Sequence, residues 1–163
     1  MVPDDIEAAA RRLVKVATDK GLWVTTAESC TGGLVGAAIT CAAGSSAVYD
    51  RGFITYSNAA KVVLLGVDED LLREHGAVSE PVARAMAAGA RERAGAHIGI
   101  GVTGVAGPGG GSEGKPVGLV HFGLALPDGS TQHREMRFGD LGRDRVRLEA
   151  VKVALELLEG ATA

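Results

Sequence analysis

The sequence predicts a three-layer α/β/α sandwich around a mixed central sheet, in one domain spanning residues 1–163. Three observations lead there. Helical and strand patterns alternate along most of the chain. The run from His97 to Thr103 is apolar and of strand length, as expected of a central strand covered on both faces. Asp128-Gly129 separates two strand-like segments and signals an antiparallel hairpin, so the sheet is not wholly parallel.

Taken in order, Ile6 to Lys20 carries apolar residues at helical spacing and Gly21 ends it. Leu22 to Ala27 reads as a strand, and Thr31-Gly32-Gly33 opens a second helix reaching about Thr40. After a loop at Ala43 to Ser46, Arg51 to Tyr56 is a second strand. Ser57 or Asn58 then caps a short helix that Gly66 stops. A small helix over Asp68 to His75 follows. Ser79-Glu80-Pro81 starts a longer one, running to about Ala94. Thr103 to Gly118 is a long glycine-rich loop, Gly118 to Leu126 and Thr131 to Phe138 form the hairpin, and Asp144 to Leu158 is the last helix.

Composition narrows the function. A formal net charge of −3 and scattered Lys and Arg give no basic footprint, so no nucleic-acid partner is expected. Arg143, Arg145, Arg147 and Lys152 are interleaved with acids and read as a solvated helix face. An acidic start and the lack of an apolar stretch near ~20 residues point to a cytoplasmic chain with no membrane partner. Cys30 and Cys41 are too few for a disulfide scaffold, and the four histidines lack ligand spacing, so no metal is expected. A symmetric homo-oligomer is the general expectation for such a chain.

Glycine, 24 of 163 residues, is about twice its usual ~7%. Two phosphate-loop patterns built on it fail. Gly99-Ile100-Gly101-Val102-Thr103-Gly104 matches G-x-G-x-x-G, but its first two glycines lie inside the apolar strand instead of in a strand-to-helix turn, which points to close packing. Gly109 to Lys115 begins like a P-loop, but Pro116 replaces the hydroxyl residue that would hold Mg²⁺. The loop still offers free N–H groups for an anion, with a plain surface loop equally open.

The segment Thr26-Ala27-Glu28-Ser29-Cys30-Thr31-Gly32-Gly33 lies where a strand hands over to a helix. Two nucleophile types, two glycines and a helix N-terminus coincide there, the ingredients of an oxyanion hole. An ordinary helix cap is equally compatible with the pattern. No Ser–His–acid set is visible, which leaves lysine as the base. Among Lys15, Lys20, Lys61, Lys115 and Lys152, Lys61 falls in a first helical turn, where the dipole repels a cation. Bringing an amine from ~10.4 to about 7.5 takes roughly 4 kcal/mol, which partial burial plus that dipole would supply.

The chain resembles the family of the C-terminal domain of the competence-damage protein CinA, whose stand-alone members are nicotinamide mononucleotide deamidases. The likeness is carried by Thr25 to Gly33, Ala43-Gly44-Ser45-Ser46, Gly52 to Asn58, Lys61, Gly76 to Val82, Thr103 to Pro108 and Lys115 to Gly118. It implies an α/β/α fold, no cofactor, and a Ser/Lys hydrolase assisted by tyrosine, with Ser29, Lys61 and Tyr56 in those places. The expected partner is a small-molecule nucleotide, converted to nicotinic acid mononucleotide and ammonia. N–H groups around Cys30, Thr31, Gly32 and Gly33 would hold the oxyanion. Ser45, Ser46, Thr103, Gly104 and Gly107 would hold ribose and phosphate, with Arg51 or Arg137 added to the phosphate. Cys30 is the competing nucleophile. A non-catalytic nucleotide-binding or regulatory module, or another amidase or esterase using the same dyad, are the alternatives.

Overall fold

The computed structural model describes all 163 residues. Its elements are α1 (Asp4–Lys20), β1 (Val24–Glu28), α2 (Leu34–Thr40), β2 (Phe53–Ile54), α3 (Asn58–Leu65), α4 (Glu69–His75), α5 (Glu80–Ala94), β3 (Ile98–Gly104), β4 (Leu119–Ala125), β5 (Thr131–Arg137) and α6 (Arg143–Thr162), with a short 3₁₀ turn at Ser45–Ala47. The five strands lie in the order β2-β1-β3-β4-β5. Strand β1 is parallel to β2 and β3, and β4 runs antiparallel to both its neighbours, so it alone opposes the other four. The predicted mixed sheet is therefore present, with the apolar run as its middle strand.

Helices α1, α2 and α6 pack together on one face, while α5 lies across β1, β3, β4 and β5 on the other, with α3 and α4 against it. Each face has its own apolar core. The larger joins Ile6, Leu13, Ile39, Ile100, Phe122 and Leu155. The smaller joins Ala27, Leu65, Leu72, Val82, Met86 and Ala90.

The strand glycines are explained by the approach of α5. A Cβ on Gly101 would stand 2.6 Å from the Ala83 carbonyl oxygen and 2.9 Å from the Ala87 nitrogen. One on Gly99 would stand 2.6 Å from the Ala87 carbonyl oxygen. These glycines let helix backbone rest directly on sheet backbone, the close-packing role that their place in a strand suggested. Since backbone on both sides blocks a methyl group, Gly101→Ala is expected to cost about 3 kcal/mol of stability, an overpacking effect. Urea unfolding measures it, and a loss below about 0.5 kcal/mol, the ordinary surface-substitution range, would show that α5 moves aside freely.

Three local expectations change. The strand expected over residues 51–56 shrinks to Phe53–Ile54. Beyond Ile54 only the Thr55 N–H still reaches β1, at Glu28 O, and the chain turns its carbonyls elsewhere. Helix α2 starts at Leu34, not Thr31, because Gly32 and Gly33 take positive φ and form a turn of their own. Ser79 precedes α5 without capping it: its hydroxyl donates to the Gly76 carbonyl at 2.8 Å. Ser57 behaves as predicted, accepting from the Ala60 N–H at the start of α3.

Candidate active site

Strand β1 ends at Glu28, and Ser29 follows at the carboxyl edge of the parallel strands. Its own N–H is held by Val102 O of β3 at 2.9 Å. Ligand sites in α/β sheets favour this edge, because the chain leaves the sheet there and side chains converge from separate loops. Lys61 arrives from the first turn of α3. It is 1% exposed and among the largest fully buried side chains of the molecule. Its Nζ stands 3.1 Å from Ser29 Oγ, 2.8 Å from Thr55 O, 3.4 Å from Tyr56 O and 3.5 Å from Ser57 O. The carbonyls released when β2 peels away from the sheet thus form the amine's cradle.

That cradle gives the pair a direction. A neutral amine has two N–H bonds and one lone pair. With its N–H groups on carbonyls such as those of Thr55 and Tyr56, its lone pair is free to accept the Ser29 proton. Burial lowers the Lys61 pKa from its ordinary 10.5, by penalising the ammonium, while the Cys30 side chain opposes this. The expected shift is in the right sense, and dehydration is its largest cause.

Cys30 lies beside Ser29 but is unsuited to attack. Burial pushes its thiol up to about 11, so the thiolate is scarce at neutral pH. Tyr56 stands at the rim, 64% exposed. Its hydroxyl accepts from Arg143 at 3.1 Å, while its carbonyl faces Lys61. The tyrosine hydroxyl is hydrogen-bonded to the rim arginine, not to either member of the Ser29–Lys61 pair.

A cavity of about 280 Å³ opens above this pair, walled by Ser29, Lys61, Tyr56, Thr103, the glycine loop and Arg143. Cys30, Gly104 and Gly107 also line it, so these candidate contacts come together. Thr103 Oγ1 donates to Ala77 O at 2.9 Å, which ties β3 to the turn before α5. Other candidates lie elsewhere. Ser45 and Ser46 sit past the end of α2, in a segment that pairs with Val24 at the opposite end of β1. Arg137 is exposed and donates to Glu135 at 3.1 Å, and Arg51 pairs with Asp50 on the surface. Neither borders the cavity. Lys115 does not reach into it: its ammonium donates to the His75 carbonyl at the end of α4. The residues expected to hold phosphate are thus corrected for Ser45, Ser46, Arg51 and Arg137.

The arginine that does border the cavity is Arg143. It donates to Gly107 O at 2.8 Å as well as to Tyr56, which fastens the glycine loop to the rim. Its alternation with acidic neighbours pointed to a solvated face, and nothing local distinguishes it from Arg145. Glu28 was equally hidden. It is 1% exposed, and its carboxylate accepts from Thr31 Oγ1 at 2.6 Å and from the N–H groups of Gly33, Val35 and Gly36 at 3.2, 2.8 and 3.1 Å. The N-terminus of α2 is therefore filled by an internal anion, which suits the dipole there. Gly33 is unavailable as an oxyanion donor. The Gly32 N–H is also taken, by Ser29 O at 3.1 Å.

Fold and site define an α/β/α protein that brings a serine hydroxyl and a buried amine into contact at the carboxyl end of its parallel strands. The chain belongs to the CinA C-terminal domain family, whose model matches residues 6–162. A nicotinamide-nucleotide amidohydrolase PncC of Enterobacter agglomerans is 56% identical over 138 residues, covering 84% of this chain and 83% of that protein. A CinA-like protein of Anaeromyxobacter dehalogenans is 54% identical over 139 residues. They make up 85% of this chain, which spans only 34% of that longer protein. Among solved structures, the competence/damage inducible protein CihA of Agrobacterium tumefaciens superposes with a TM-score of 0.98 at 52% identity, covering 100% of this chain and 99% of that one. A CinA superfamily protein of Escherichia coli gives 0.90 at 38% identity, covering 97% and 92%. No helix is long and apolar enough to cross a membrane.

Proposed function

We propose that the protein hydrolyses the carboxamide of nicotinamide mononucleotide, giving nicotinic acid mononucleotide and ammonia, with Ser29 as nucleophile and Lys61 as base. The observation that carries this reading is the 3.1 Å contact between Lys61 Nζ and Ser29 Oγ, both buried at the base of a cavity. The name of the Enterobacter relative supports the substrate.

In this mechanism neutral Lys61 takes the Ser29 proton as Oγ bonds to the carboxamide carbon. The cationic pyridinium ring draws electrons from that carbon and eases the attack. The carbonyl oxygen becomes an oxyanion as the carbonyl π bond opens. Collapse re-forms the carbonyl and breaks the C–N bond, with the ammonium of Lys61 returning its proton to the leaving nitrogen, so ammonia departs neutral. Water then adds to the ester with Lys61 again as base, the Ser29–carbon bond breaks as Lys61 returns that proton to Ser29 Oγ, and the acid product gives its proton to solvent and leaves as a carboxylate. Arg143, at the rim beside the glycine loop, is the cation placed to meet the nucleotide phosphate.

The test is ammonia release from nicotinamide mononucleotide, nicotinamide riboside and free nicotinamide. The nucleotide is expected to exceed the riboside in kcat/KM by at least about 100-fold, the scale of a charge-assisted phosphate contact. Equal rates on all three would remove the nucleotide from the reading.

A further inference from the structure

Two N–H groups at the strand-to-helix turn, those of Cys30 and Thr31, donate to no other residue of the chain. The N–H groups of Gly33, Val35 and Gly36 donate to Glu28 and that of Gly32 to Ser29 O, whereas the N–H of Thr31 donates to nothing and that of Cys30 only faces its own thiol. What orients them can be read from the carbonyl on the other side of each peptide plane. In a trans peptide C=O and N–H point in opposite directions, so pinning one aims the other. The Ser29 carbonyl is pinned by the Gly32 N–H, which aims the Cys30 N–H the opposite way. The Cys30 carbonyl accepts from Arg147 Nε at 3.1 Å and the Thr31 carbonyl from an Arg147 terminal nitrogen at 3.2 Å. The Thr31 carbonyl also accepts from the Leu34 N–H at 3.0 Å, so the plane that Arg147 holds without other help is the one between Cys30 and Thr31, which carries the free Thr31 N–H.

The turn is also shaped for this guanidinium. Gly32 has φ of +58°, and a Cβ there would come within 3.2 Å of the same Arg147 nitrogen. A planar fork with several donors can hold two carbonyls at once, which a lysine cannot. Arg147 lies one helical turn beyond Arg143, so α6 meets the site twice: at the rim through Arg143, and beneath the turn through Arg147.

We propose that Arg147 is a positioning residue for the amide hydrolysis, holding the Cys30 carbonyl from α6, with a second contact to the Thr31 carbonyl, so that the free Thr31 N–H faces the substrate oxygen as it becomes negative. This rests on the Ser29-centred reading above and deepens it. Arg147 touches neither the nucleophile nor the base. Its loss removes stabilisation of the transition state while leaving ground-state binding and the Lys61 titration in place.

The experiment measures kcat and KM for ammonia release from nicotinamide mononucleotide by wild type, Arg147→Ala and Arg147→Lys, with thermal melts of each. Arg147→Ala is expected to lose about 100-fold in kcat, with KM within about threefold of wild type and the pH profile unmoved. Arg147→Lys should recover part of that loss, and added guanidinium ion should partly restore the alanine variant. If Arg147→Ala does not fold, Arg147→Lys and Arg147→Gln give the same comparison. Wild-type kcat in a folded Arg147→Ala or Arg147→Gln overturns the inference. So does a loss shared by KM and melting temperature that neither lysine nor guanidinium restores, since that is a merely structural role. Failure of the underlying reading looks different: wild type itself releases no ammonia, or Ser29→Ala remains active, and the inference falls with it.

Discussion

Ser29→Ala is expected to reduce ammonia release from nicotinamide mononucleotide to about 10⁻⁴ of wild type or less, while the protein keeps its fold. The size follows from losing a covalent route, because removal of a nucleophile that acts as a unit with its base forfeits most of the chemical step. The fold is spared because Ser29 Oγ holds no structural contact beyond Lys61. Its N–H still binds Val102 O, and its carbonyl still binds the Gly32 N–H. Substrate affinity should change little, since the other cavity walls are untouched. Measured kcat with product binding by calorimetry separates the two effects. Activity above about a tenth of wild type would remove the hydroxyl from the mechanism, and with Cys30 held protonated by burial no neighbouring nucleophile is poised to replace it.

The second large effect is at Lys61. Lys61→Met preserves much of the side-chain volume and removes the amine, and kcat/KM is expected to fall by at least about 10³-fold. The pH dependence gives the sharper test. Burial places the Lys61 pKa below its ordinary value, so the ammonium form, inactive as a base, prevails below that lowered pKa. In wild type kcat/KM should therefore rise with pH until Lys61 is neutral and then level off, and in Lys61→Met that rising limb should vanish. The stability linkage has the same sign. A depressed folded pKa means the fold prefers the neutral amine. Its stabilising share is full above the unfolded value near 10.5 and is lost as pH falls through the lowered folded value. Below that lowered folded value the methionine variant escapes the cost of a buried ammonium. That gain offsets the donors lost by the Thr55, Tyr56 and Ser57 carbonyls, and the variant should remain folded. A rising limb that persists unchanged in Lys61→Met would assign the base to another group.

Much of this arrangement is legible in local sequence, for reasons that are themselves local. Gly21, Gly66 and Gly95 end their helices in left-handed conformations, as residues without a Cβ do. Asp128-Gly129 marks the β4–β5 turn, and the apolar stretch after His97 becomes the covered middle strand. Lys61 in a first helical turn is visible as a charge out of its ordinary place, and Ser29 at a strand end as a possible nucleophile that an ordinary cap explains equally well. Neither observation says that the two atoms meet. The distance between them depends on β2 lying beside β1 and releasing its carbonyls after Ile54, and only the assembled sheet brings that about.

The failures share a different origin. Ser45 and Ser46 are near Ser29 in sequence, but the returning helix α2 between them carries the chain back to the other end of the sheet. Glu28 reads as one letter of a motif, yet it fills the N-terminus of the helix that follows the glycines. Arg143 and Arg147 alternate with acids like any solvated face, and their partners at Gly107, Cys30 and Thr31 are far away in sequence. The amino-acid sequence by itself therefore determined the layers and the turns, because propensity and patterning are properties of short segments, and family resemblance pointed to Ser29 and Lys61 as candidates. Which charges surround that pair, and which backbone N–H groups remain free, was decided only by tertiary structure. Hydrogen bonding and dehydration depend on what lies within a few ångströms in space, and here Arg147 of α6 reaches Cys30 and Thr31 from more than a hundred residues away.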